Sequence, residues 1–263
     1  MFILQVFGPC RDACKVLSLL CTSNNIDKQN NFGETPLHLL FYLYKDIQPW
    51  MEEGENSLFG LNTINMLRSW TNVNLCDARR RTPLHSAVLT NLGEDTLMKI
   101  IPLLVNSSNI DLGDITLHTP LANFLETSFQ RPIGTMFIDI VHVLLSDRNV
   151  NMKNKNGRKP IVQILLMPYM KSDSKCRTVQ MLLATGANLN INVFRYFAES
   201  ALCKPNPADF LTADIFYIVV NNTDFRMWNF TAFLAFIERC KCVLSQNAQY
   251  MFPFLLAMVH YLP

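Results

Sequence analysis

Apolar residues along this chain fall into short helical runs that come in pairs, each pair followed by a polar stretch. Ile100, Ile101, Leu103 and Leu104, or Val141, Leu144 and Leu145, keep the spacing of one helix face. Runs of this kind end in a doublet: Leu19-Leu20, Met66-Leu67, Leu103-Leu104, Leu144-Leu145 and Leu182-Leu183. Runs of the other kind open on a proline, as in Leu84, Ala87 and Val88 after Pro83, or Leu121, Phe124 and Leu125 after Pro120. Thr before Pro is helix-start chemistry. Thr caps, and Pro loses nothing at the first helical position, where its missing N–H would be unpaired. The pattern predicts a unit of helix, loop, helix and short extended joint.

The unit recurs. Thr35-Pro36-Leu37-His38 returns as Thr82-Pro83-Leu84-His85, then as Thr119-Pro120-Leu121-Ala122 and Lys159-Pro160-Ile161-Val162, at steps of 47, 37 and 40 residues. Nine residues before each Pro stands an acidic or amide residue behind an aliphatic one: Ile26-Asp27, Val73-Asn74, Ile110-Asp111 and Val150-Asn151. The second residue of each doublet lies 7, 7, 7, 6 and 7 residues before the joint's Asp or Asn. The joint is constant, so the length variation falls between the two helices. A self-similar period of this size is the mark of units that bury their apolar faces on their neighbours.

These residues resemble the ankyrin repeat, whose Thr-Pro-Leu-His turn opens the first helix and whose second helix ends in a Leu doublet. Gly-Ala-Asn-Leu-Asn at 186–190 is similar to the family's usual end of that second helix. The resemblance implies an all-α solenoid of helix–loop–helix units with β-hairpin joints. The array spans 1–192, with a partial first unit and full units near 31–74, 78–111, 115–151 and 155–190. A degenerate helical region over 193–263 closes it. The family's turn is tied by hydrogen bonds from its Thr and His. Losing His at Ala122, and both residues at Lys159 and Val162, implies softer third and fourth units. The family's Gly two residues before Thr matches Gly33 and Gly157 but is Arg80 and Leu117 in the other joints, where any positive φ would be strained. Only Met1 to Phe7 stands where the first unit's first helix belongs, which fits a fragment or isoform of something longer.

Half the residues are apolar and 17% are charged, enough to bury a core, and a net charge of +2 argues against a dominant pull toward nucleic acid. The eight cysteines are scattered without a disulfide-framework spacing, and no basic leader or cleavage site precedes them. Reduced thiols in a cytoplasmic or nuclear protein are expected. No apolar run reaches the length of a membrane helix.

Enzyme chemistry is not expected. His38 and His85 are absorbed by the repeat turn and His118 by a joint, while His142 and His260 lie in apolar surroundings. A Cys76–His85 pair has nothing in its spacing to recommend it. Cys10/Cys14 and Cys240/Cys242 lack the second ligand pair that a structural zinc site needs. There is no Gly-rich phosphate loop. No cofactor, metal or small-molecule substrate is implied.

The resemblance implies a scaffold that binds other proteins through its joints and the concave face of its first helices. Two joints are basic: Arg79, Arg80 and Arg81 in one, Lys153, Lys155, Arg158 and Lys159 in another, on either side of a joint carrying Asp111 and Asp114. They point to an acidic protein partner gripped by two cationic fingers. Nucleic acid is disfavoured because stacking aromatics are missing there. The longest insertion, about 45–60, offers Trp50 in an acidic loop as a tether or an exposed anchor. One alternative is a substrate-recruiting adaptor of a ubiquitin ligase, similar to loop-extended ankyrin adaptors of animals and large DNA viruses. Another is a regulator that masks a transcription factor.

Overall fold

The computed structural model describes residues 21–22, 24–47, 56–90, 92–129, 131–190, 215, 218–219 and 221–224. Eight helices lie among them: α1 Pro36–Ile47, α2 Asn56–Leu67, α3 Pro83–Leu89, α4 Glu94–Leu104, α5 Pro120–Ser128, α6 Phe137–Leu144, α7 Pro160–Leu166 and α8 Ser172–Ala184. Strand is confined, among the described residues, to the parallel pair β1 Leu189–Asn190 and β2 Thr223–Asp224. The protein is helix-rich, in line with the all-α class. No helix among the described residues is long and apolar enough to cross a membrane. Residues 48–55 of the insertion, with Trp50, most of the partial first unit and nearly all of 193–263 lie outside the described residues.

The chain divides into two compact units, Met1–Gly157 and Arg158–Pro263. The division falls inside the span expected to be one array.

In the first unit the helices that open on Pro pack on one another in chain order, α1 on α3 and α3 on α5. Their partners do the same, α2 on α4 and α4 on α6, and each pairs with its own first helix. The recurrent phrase explains this. Leu37, Leu84 and Leu121 hold the same place after Pro and are each fully buried, as are Phe41, Val88 and Phe124 further along the same helices. Phe124 and Phe137 meet with ring centroids 5.3 Å apart, joining α5 to α6.

The second helices end on a recurrent amide. Asn72 Nδ2 donates to Leu67 O and Ile26 O, Asn109 to Leu104 O and Val73 O, and Asn149 to Leu144 O and Ile110 O. Each amide thus satisfies an orphan carbonyl at its own helix end and one in the preceding joint. This bonding moves the register by one residue in α6. Leu144, not Leu145, is the buried equivalent of Leu67 and Leu104, and Leu145 stands at the cap. Counted from Leu144, the step to Asn151 is the same seven residues as elsewhere.

The variable length does lie between paired helices. In the third repeat it forms the loop after Ser128, and Glu94 at the start of α4 clamps it by accepting from Gly134 N and Met136 N at 2.8 and 3.0 Å. A Cβ on Gly134 would come within 2.4 Å of that carboxylate, so the clamp needs glycine there.

The second unit holds α7 packed on α8. Lys175 of α8 is buried, and its ammonium donates to Met167 O and Leu165 O at the C-terminal end of α7. Burial pushes its amine down to about 8, and the carbonyls it meets lie at the negative end of the helix.

Candidate interaction surface

Each joint is built on an Asx residue six positions before its Pro. In the second joint Asp77 Oδ1 accepts from Arg79 N and Arg81 N, both at 2.8 Å. Asn30 Oδ1 takes Phe32 N and Glu34 N in the first, Asp114 Oδ1 takes Thr116 N and His118 N in the third, and Asn154 Oδ1 takes Asn156 N in the fourth. The tip then turns through a left-handed residue: Gly33 at φ 74°, Arg80 at 59°, Leu117 at 59° and Gly157 at 71°. The φ left open for Arg80 and Leu117 by the sequence is positive at both, the strained case for a residue with a Cβ. Sequence reading passed over the Asx row, although Asn30, Asp77, Asp114 and Asn154 stand in the same register as the prolines.

Neighbouring joints lie side by side. Ala78 N donates to Phe32 O at 2.8 Å, Ile115 N to Arg79 O at 3.0 Å and Lys155 N to Thr116 O at 3.1 Å. Gln29 Nε2 adds a bond to Cys76 O between the first two. The turn histidines reach across as well. His38 Nε2 is 2.9 Å from Arg81 O, and His85 Nε2 is 3.1 Å from Leu112 O and 3.2 Å from His118 O. Their Nδ1 atoms accept from Thr35 N and Thr82 N, so both rings are neutral with the proton on Nε2. Burial lowers both, His85 to about 4. With both nitrogens engaged, His85 has none left to activate Cys76. Ala122 cannot make the same reach from the third repeat. There His118 takes over, its Nε2 accepting from Asn154 Nδ2 at 3.2 Å.

The expected site residues divide. Arg79, Arg80, Lys153 and Lys155 are exposed. Arg81 is not a free finger: its guanidinium forms a salt bridge with Asp77 at 2.6 Å, bonds the Tyr42 hydroxyl and lies 5.4 Å from the centre of that ring. Burial by itself would raise the Asp77 carboxyl. The bonds from Arg81 and the two backbone N–H groups outweigh it and hold the carboxyl below its ordinary value. Lys159 is buried too, its amine 3.4 Å from Asn188 O. Arg158 is half-buried and belongs, with Lys159, to the second unit. Trp50 lies outside the described residues.

The acids of the third joint are consumed internally. Asp111 accepts the Ser146 hydroxyl, as Asp27 accepts that of Ser69 two repeats earlier. Asp114 is buried and bonded to Thr116, His118 and Asn123. Burial raises its carboxyl, and those bonds more than reverse the effect. What the third joint shows to solvent is apolar: Ile115 is 58% exposed and Leu117 54%. Phe32 at the tip of the first joint is 68% exposed. The edge therefore reads Phe, Arg-Arg, Ile and Leu, then Lys and Lys, where the sequence suggested an acidic joint between two basic ones. Trp70, Leu89 and Tyr169 are exposed elsewhere.

A scan against protein-family models and a search of curated proteins each return no match to this sequence.

Proposed function

We propose that the chain is a non-enzymatic, ankyrin-type scaffold that binds another protein along its row of joints. The observation that carries this reading is the edge itself: backbone hydrogen bonds tie four tips into one strip, and exposed cations and large apolar side chains meet there. Internal bonds determine the strip's backbone, so its exposed side chains are spare for recognition. Arg and an aromatic such as Phe32 are residue types enriched at interfaces. Among the described residues, Cys21, Cys76 and Cys176 are thiols rather than disulfides, which fits the cytoplasm or nucleus.

The test is affinity capture with the intact chain and with an Arg79→Glu/Arg80→Glu double variant, each analysed by mass spectrometry. Both side chains are exposed, so the unfolding curve should be unchanged within about 0.5 kcal/mol. At least one protein held by the wild type should be lost, through a slower association that has lost the wild type's decline with salt. Identical captured sets from two folded proteins would reject the reading.

A further inference from the structure

Joints one and four place glycine at the left-handed position, and joints two and three do not. At φ 59° a Cβ crowds the backbone, and for a bulky side chain such as Leu this conformation is an outlier. Leu117 gains no compensating burial, for more than half of it faces solvent. Glycine would meet the backbone requirement at both sites, as it does at Gly33 and Gly157. The fold therefore gives no reason for a leucine at this tip, nor for Ile115 beside it.

Their neighbours supply one. Ile115 N bonds Arg79 O, so the apolar tip abuts the Arg79-Arg80 joint; Thr116 O bonds Lys155 N, so it abuts Lys153 and Lys155 on the other side. Asp77, Asp111 and Asp114, the acids of joints two and three, are spent on internal hydrogen bonds. An apolar patch bracketed by exposed cations complements one kind of chain. Resting on the protein-binding reading above, we propose that joints two to four bind an extended segment of the partner in which acidic residues flank an aliphatic or aromatic one. Its carboxylates lie over Arg79, Arg80, Lys153 and Lys155, and its apolar side chain lies on Ile115 and Leu117. Arg80 and Leu117 then set specificity, one for charge and one for the apolar anchor. A nucleic-acid strand would use the cations alone and find no aromatic platform at the centre.

The probe is a display library of random peptides about twelve residues long, an extended reach of about 40 Å, selected on the intact chain at low salt. Enriched peptides should carry Asp or Glu on both sides of Leu, Ile, Phe or Trp. A synthetic peptide from the leading group should bind Leu117→Gly and Arg80→Glu about tenfold more weakly than wild type. Leu117→Gly should unfold at the same temperature as wild type or higher, because glycine is at ease at this φ. Leu117→Asn, which tolerates the same conformation, should behave alike. Enriched peptides without acids, binding within about twofold of wild type in both Leu117 variants, or a lowered unfolding temperature in both would overturn the inference. Failure of any peptide to enrich would overturn it as well. In that case a cellular partner lost on Arg79→Glu/Arg80→Glu would leave the broader scaffold reading standing, and the absence of such a partner would remove both.

Discussion

In joint two, Asp77 organises the turn and its second oxygen binds Arg81, which stacks against Tyr42; in joint three, Asp114 organises the same turn and its second oxygen meets Asn123. Both turns pass through a non-glycine residue at φ 59° and both hand a backbone bond to the next joint. Yet one tip shows guanidinium groups and the other shows aliphatic side chains. The comparison teaches that the Asx residue and the ladder of backbone bonds hold the conformation, and that the outward side chains are independent of it. The outward side chains of such an edge can change without changing its fold.

The comparison is broken most severely through the core beneath the joints. Leu84 and Leu121 are equivalent and both fully buried, so Leu84→Ala and Leu121→Ala should each cost about 4 kcal/mol in chemical denaturation. A loss below about 0.5 kcal/mol for either would mean that the two repeats do not share a register.

The second break is by acid, and it acts on one side only. The second repeat has His85 where the third has Ala122. Above pH 6.5 the imidazole is neutral in both folded and unfolded chains, and its contribution is intact. Between pH 6.5 and about 4 the unfolded chain takes up a proton that the fold refuses, because burial disfavours the charged ring; protonated Nδ1 would also lose its bond from Thr82 N. Stability should fall by roughly 3 kcal/mol across that window. Unfolding midpoints at pH 7 and pH 4.5 should separate widely for wild type and less for His85→Asn; equal separations would show that His85 does not govern the acid response.

The finest measurement compares the two carboxylates directly. Asp114→Ala removes an acceptor of backbone and side-chain bonds, while Asp77→Ala also strands the Arg81 guanidinium against Tyr42. The second substitution should be the more harmful by about 1 kcal/mol. Equal losses would imply that Arg81 readily turns out to water, which would restore it as a free finger residue.

The repeat was legible because it is written in local chemistry. Thr-Pro starts a helix wherever it stands, and the Leu after Pro recurs in phase, so helix starts and the burial of Leu84 and Leu121 could be read directly. The glycines in equivalent places raised the question of a positive φ at Arg80 and Leu117, and the structure answered it with 59° at both. The Asx row was available by the same comparison of registers and was missed because the residue alternates between Asn and Asp. The partners of Arg81 and Lys159 could not be read. A charged residue in a joint looks the same in sequence whether it meets water, a Tyr ring one repeat earlier or a carbonyl 29 residues later.

By itself, then, the sequence determined the helices, their pairing and the buried face, because these follow from spacing and from capping at single positions. Only the tertiary structure decided which charges face outward. That outcome depends on which hydrogen-bond partners the packed repeats bring within reach, and a carboxylate with backbone N–H groups on one oxygen and a guanidinium or amide on the other is no longer part of the surface.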